Sequence, residues 1–207
     1  MNMRIFQDGE AGGESLRQTA RDLTSDEIKS PKIKQLVQDM IVTMHTAPGV
    51  GLAAPQVGQA LNIIVIEDNA ARQNIFKPEI LKERDRSFVE LHVMFNPRLT
   101  KITVDPVYFF EGCLSVKGCM RITPRVAKVM VSYLDEDAEP QQLEAKGWYA
   151  RILQHEIDHL NGRLYIDFAD QRTEVKLNDK SSSWMNATQA QVMEHYHNCT
   201  AKQSDQE

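Results

Sequence analysis

The stretch 147–162, GWYARILQHEIDHLNG, narrows most what this 207-residue chain can become. Trp148, Ile152, His155, Glu156 and His159 recur at intervals of three and four, the period of one helical face, and Asn161-Gly162 supplies a C-terminal stop. Residues four apart on a helix point the same way, about 6 Å apart along the axis. His155 and His159 can therefore present two imidazoles to one metal ion. Glu156 stands beside the first of them, where a carboxylate can take a proton from water activated by the ion.

The spacing leaves the third ligand open. One class of zinc hydrolases continues the motif through a glycine to a further histidine; Gly162 fits, but the final position is Tyr165. Another class uses a downstream glutamate, for which Glu174 and Glu194 are candidates in a polar stretch. Upstream, Cys113 in EGCLS offers a thiolate suited to zinc or ferrous iron, against the plain alternative of a small buried hydrophobe.

Around the motif helix the chain reads as strands. LNIIVIED (61–68), HVMFNP (92–97), LTKITVDP (99–106) and RITPRVAKVMVSYLD (121–135) are apolar and β-branched, with Pro124 marking an edge or a bulge. KPEILKERDRS (77–87) reads as a solvated loop and DEDAEP (135–140) as a turn. Ser30-Pro31 opens a second helix, in which Ile33, Leu36, Val37, Met40, Ile41 and Met44 share a face and the methionines are core filling, with Pro48-Gly49 ending it. Several strands around one motif helix indicate an α+β fold. After Asp170 the sequence turns polar. A short helix is expected near 184–197, anchored by Trp184, Ala187 and Val192, and disorder over 198–207.

Composition excludes several functions. A formal net charge of −5 argues against sequence-specific nucleic-acid binding, and no segment is long and apolar enough for a membrane span. The N-terminal MNMRIFQDGE lacks the apolar run of a secretory signal, and three unevenly spaced cysteines make no disulfide framework. The expected location is the cytoplasm.

Three motifs in order, GVGLAAPQ (49–56), EGCLS (111–115) and QHEIDHLNG (154–162), together resemble peptide deformylase, over about residues 4–169. The resemblance implies antiparallel β-sheets packed around a central helix that carries the His-Glu-x-x-His motif. It implies a catalytic domain over 1–170 and a polar extension over 171–207. Cys113, His155 and His159 match the metal ligands, and Glu156 matches the general acid/base. Gln56 and the Leu114 N–H match the oxyanion donors, and Gly51 matches the loop glycine that meets substrate. Trp148, Arg151 and Ile152 occupy the helical turn expected to line the methionine side-chain pocket.

Glu111, Arg125 and Asp158 are expected to orient the ligands, a role compatible with the plainer reading of a structural salt-bridge cluster. The implied reaction is removal of the formyl group from N-formylmethionyl nascent peptides, with release of formate and transient ribosome contact. The implied ion is Fe2+ in vivo, with Zn2+ or Ni2+ able to take its place in purified protein. A departure falls at Lys117-Gly118-Cys119-Met120, where family members usually carry a proline soon after the CLSV stretch; it bears on the shape of the substrate-side loop.

Overall fold

The computed structural model describes residues 1–177 and 181–201. In chain order the elements are α1 (Ser25–Lys29), α2 (Pro31–Thr46), β1 (Gly51–Ala53), β2 (Ile63–Asp68), α3 (Ala70–Gln73), α4 (Pro78–Glu83), β3 (Val89–Lys101), β4 (Pro106–Cys113), β5 (Val116–Val126), β6 (Lys128–Leu134), β7 (Pro140–Lys146), α5 (Gly147–Leu160), β8 (Val175–Lys176), α6 (Ser181–Met185) and α7 (Gln189–Ala201). Every strand pairing is antiparallel. One sheet has the order β1-β2-β3-β6-β7 and the other β4-β5-β8. α5 is the motif helix and packs against strands of both sheets, which is the α+β arrangement expected from the sequence.

Local chemistry explains the two long helices. The Ser30 hydroxyl accepts from Ile33 N at 3.3 Å and Pro31 takes the first turn, so α2 starts where its cap and its fixed φ dictate. Met40 and Met44 are buried against Leu52, Ile63 and Val65, the core role read from their spacing. α5 begins at Gly147, whose φ is +58° and where a Cβ would lie 2.5 Å from Asp85 O. Only glycine fits that junction. Its apolar face, Ala150, Leu153, Ile157 and Leu160, packs with Ile64, Ile66, Met94, Val129 and Val131.

The structure corrects several local readings. The charged run 77–87 contains α4, with Pro78 in its first turn and Ile80 its one buried residue. The segments 92–97 and 99–106 are not two strands: β3 runs unbroken to Lys101, and 102–105 form a connection to β4. The run 121–135 splits near Ala127 into β5 and β6, which belong to different sheets. Pro124 pairs with Tyr108 of β4 where β8 does not reach, so the N–H it lacks faces no partner strand.

Helix does occur in the polar C-terminal stretch, as α6 and α7, with Ala187 and Val192 buried against Phe109, Phe110 and Ile122. Residues 198–201 are helical rather than disordered, and 202–207 lie outside the described residues. Thr173, fully buried, accepts from Ile122 N at 2.9 Å, and β8 pairs with Cys119 and Met120.

Candidate metal centre

β4 ends at Cys113 with a shift of register between Glu111 and Cys113, and a two-residue turn, Leu114-Ser115, leads into β5. The irregularity turns the thiol toward α5. Cys113 Sγ lies 3.3 Å from His159 Nε2, and ligand atoms of Cys113, His155 and His159 all fall within 4.8 Å of one another. Among the described residues this is the only such histidine, cysteine or carboxylate group. Glu174 is elsewhere, bonded to Arg121 at 2.7 and 3.1 Å and to Lys176 at 2.6 Å, and Glu194 lines an outer surface hollow beside Trp184.

The surroundings prepare each donor. His155 Nδ1 is 3.0 Å from Glu111 Oε2, which leaves Nε2 to face the site. Burial would lower the His155 pKa, but hydrogen bonds to Cys113 and Glu111 outweigh it and hold the imidazole well above its usual value. Burial, reinforced by the positive charge of His155, keeps His159 well below its own, hence neutral. Ser115 N–H donates to Cys113 Sγ at 3.4 Å and Gln56 Nε2 approaches it at 3.7 Å. One sulfur and two imidazole nitrogens, backed by the Glu111 carboxylate at His155 Nδ1, fit a borderline-soft divalent ion with further positions open.

Glu156 is 5% exposed and its Oε2 has no partner in the structure. Burial pushes its carboxyl up to about 7, against the pull of the His155 charge. It lies against Gly51, where a Cβ would sit 2.4 Å from Glu156 Oε1 and 2.7 Å from its Cδ. Gly51→Ala should therefore displace the buried carboxylate and cut turnover by roughly a hundredfold, the scale of a misplacement near 1 Å. Steady-state kinetics with circular dichroism would check this; near-parental activity in a folded variant would mean that Glu156 moves aside without cost.

Gln56 sits in the 3-10 turn Ala54–Val57, braced by Phe6 N–H donating to the Gln56 carbonyl at 2.9 Å and by the Ser15 hydroxyl donating to Pro55 O at 2.7 Å. Its Oε1 accepts from Ala53 N at 2.8 Å, so its amide nitrogen is the end that points to Cys113 and Ser115. Leu114 is the first residue of the Cys113-adjacent turn, and its carbonyl accepts from Gln7 Nε2 at 2.9 Å.

Behind the ligands, Glu111 is the hub. Arg125 grips it with Nε and an amino group at 3.0 Å each, Arg151 donates to Oε1 at 2.6 Å, and Arg125 continues to Asp158. The cluster is buried, and it is at once an ion network and the holder of His155, so the two roles expected for Glu111, Arg125 and Asp158 coincide.

Of the three residues expected to line a side-chain pocket, Ile152 is buried in the core, and Trp148 meets Phe109 edge-on at 5.9 Å. Arg151 reaches inward to Glu111, Thr123 O and Val107 O. The sequence reading does not assign two parts: that of Ser115, fully buried and 3.3 Å from Gln56 Nε2, and that of Arg151 as a partner of Glu111. The available signal for Arg151 was its place four residues before His155, on the same helical face.

Comparison with known proteins agrees with this geometry. The sequence model of the polypeptide deformylase family matches residues 3–175. The chain is 42% identical over 163 residues to a chloroplastic peptide deformylase 1A of Solanum lycopersicum, covering 79% of this chain and 59% of that one. It is 45% identical over 141 residues to peptide deformylase 3 of Streptomyces avermitilis, covering 68% and 61% respectively. Among solved structures, a peptide deformylase from Synechococcus elongatus in complex with actinonin superposes with a TM-score of 0.67 at 34% identity, over 91% of this chain and 88% of that one. The chain belongs to the polypeptide deformylase family. It spans about three fifths of the length of the first of these curated relatives.

Proposed function

We propose that the chain is a metal-dependent amide hydrolase that removes the formyl group from N-formylmethionyl nascent peptides and releases formate. The observation that carries this reading is the convergence of Cys113, His155 and His159 beside a buried Glu156 and the amide end of Gln56. A divalent ion held by those three side chains would activate water and polarise the formyl carbonyl. Glu156, poised near neutrality by burial, takes the proton of the attacking water and passes it to the departing amine. Gln56 Nε2 and the Leu114 N–H donate to the developing oxyanion, an effect worth roughly 3 kcal/mol per donor. Gly51 brings its backbone against the substrate and leaves room for Glu156. Trp148 and Ile152 border the methionine side chain, while Arg151 contributes by holding Glu111.

Fe2+ is the ion proposed in vivo, with Zn2+ or Ni2+ able to occupy the same sulfur and nitrogen donors. A reducing cytoplasm suits the three free cysteines, and ribosome contact suits a nascent-chain substrate. The division into a catalytic domain over 1–170 and an extension over 171–207 belongs to this reading, and the family match to 175 supports a boundary a few residues later. No helix among the described residues is long and apolar enough to cross a membrane.

Two measurements test these assignments. Cys113→Ser should lower metal affinity sharply, because a neutral hydroxyl replaces a thiolate; equal metal content in the purified variant would remove Cys113 from the ligand set. Metal-loaded protein should release formate from formyl-Met peptides and leave their acetyl counterparts and internal bonds intact. The acetyl methyl would crowd the space beside Gln56, overpacking that costs about 1–3 kcal/mol. Mass spectrometry of paired peptides decides this: equal loss of formyl and acetyl groups, or internal cleavage, overturns the reading.

A further inference from the structure

Beside α5, next to Arg125 of the Glu111 cluster, a cavity of about 860 Å³ opens between the end of β3 and the end of β5. Its volume falls in the range of small-molecule sites, roughly 300–1,000 Å³. The residues that line it include Arg98, Lys101, Arg125 and Arg163, against one carboxylate, Asp158. That local excess of positive charge stands in a chain whose formal net charge is −5. Arg98 is paired with Asp22, and Arg125 with Glu111 and Asp158. Lys101 and Arg163 have no ion-pair partner among the described residues, and the Arg163 guanidinium lies 5.8 Å over the Phe168 ring.

Apolar side chains share the rest of the lining with the amides of Asn62, Gln154 and Asn161; of the apolar ones Val104 is 86% and Phe168 39% exposed, while Ile157 of α5 is buried. Free cations beside exposed apolar walls in one concave space suit a ligand that is itself divided in that way. We propose that this cavity binds a soluble amphiphilic anion, an acyl chain or similar apolar body ending in a carboxylate, with the headgroup between Lys101 and Arg163 and the body along Val104, Ile157 and Phe168. The concave shape between strands favours a single molecule over a flat lipid surface. The occupant would rest against Arg125, whose other edge holds Glu111.

Dodecanoate, kept below its micelle concentration, is the probe. Isothermal titration of the metal-loaded full chain should give one site, with dodecanol and dodecyltrimethylammonium at least tenfold weaker. The double substitution Lys101→Glu with Arg163→Glu should weaken dodecanoate at least tenfold while melting temperature and formate release stay at the parental level. Diffraction from crystals grown with a bromine-labelled chain should place the bromine in this cavity. The proposal is overturned if the double variant binds equally, as it would if the fatty acid entered the metal centre. Equal affinity for the cationic amphiphile, binding to anionic phospholipid vesicles without binding of the monomer, or no binding at all would overturn it too.

Discussion

Glu156→Gln is expected to fold and to hold its metal as the parent does, yet to lose turnover by roughly a hundred- to ten-thousandfold, the usual share of a general acid/base. The substitution keeps the size and shape of a side chain that is 5% exposed and packed on Gly51, so the site has no steric reason to rearrange. What changes is proton capacity: an amide neither takes a proton from water nor returns one to an amine. Burial supplies the tuning that makes the carboxylate suited to both halves of the task, since a group raised to about 7 gives up a proton nearly as readily as it accepts one. The measurement is kcat with formyl-Met peptide, alongside metal content and a melting curve. Near-parental kcat in a metal-loaded variant would take Glu156 out of the mechanism.

Legibility differed by element for physical reasons. α5 was plain because helical period, apolar anchors and an Asn-Gly stop agree over its length, and α2 because Ser30-Pro31 marks its start. α4 is hard to read from sequence because its charged residues surround a single buried anchor, Ile80; Pro78 in its first turn is the signal the sequence carries. Apolar alternation in 121–135 continues across Ala127 and carries no mark of a change of sheet, so β5 and β6 merged into one reading. At the site, the histidine pair follows from helix geometry alone. Cys113 lies 42 positions before His155, a separation that no periodicity bridges, and its place came from the resemblance of three ordered motifs. Arg151 shows a further gap: sequence puts it on the inward face of α5, but only the packed structure shows that its guanidinium turns to Glu111.

That hub carries the second large effect. Glu111→Gln should destabilise the fold by about 3–5 kcal/mol at neutral pH, the cost of leaving buried guanidinium groups without their counter-charge. Against a typical total of about 5–15 kcal/mol, the loss would be obvious in urea unfolding. The Glu111 carboxylate lies between Arg125, Arg151 and His155 and is 6% exposed, so water cannot replace what the variant removes. Burial alone would raise its pKa; Arg125 foremost, with His155 and Arg151, overrides that and holds it well below 4.5. A carboxylate depressed on folding contributes stability above its unfolded pKa and loses it as pH falls through the native value. The gap between parent and variant should therefore be full at pH 7 and begin to shrink only below about pH 4.5. The same substitution removes the acceptor that orients His155, so metal affinity should drop by roughly 10- to 100-fold. The two readouts separate the roles. Lost metal affinity with parental stability would make Glu111 an orienting group only, and lost stability with parental affinity would leave His155 able to hold its place without it. Parental values of both would contradict the hub.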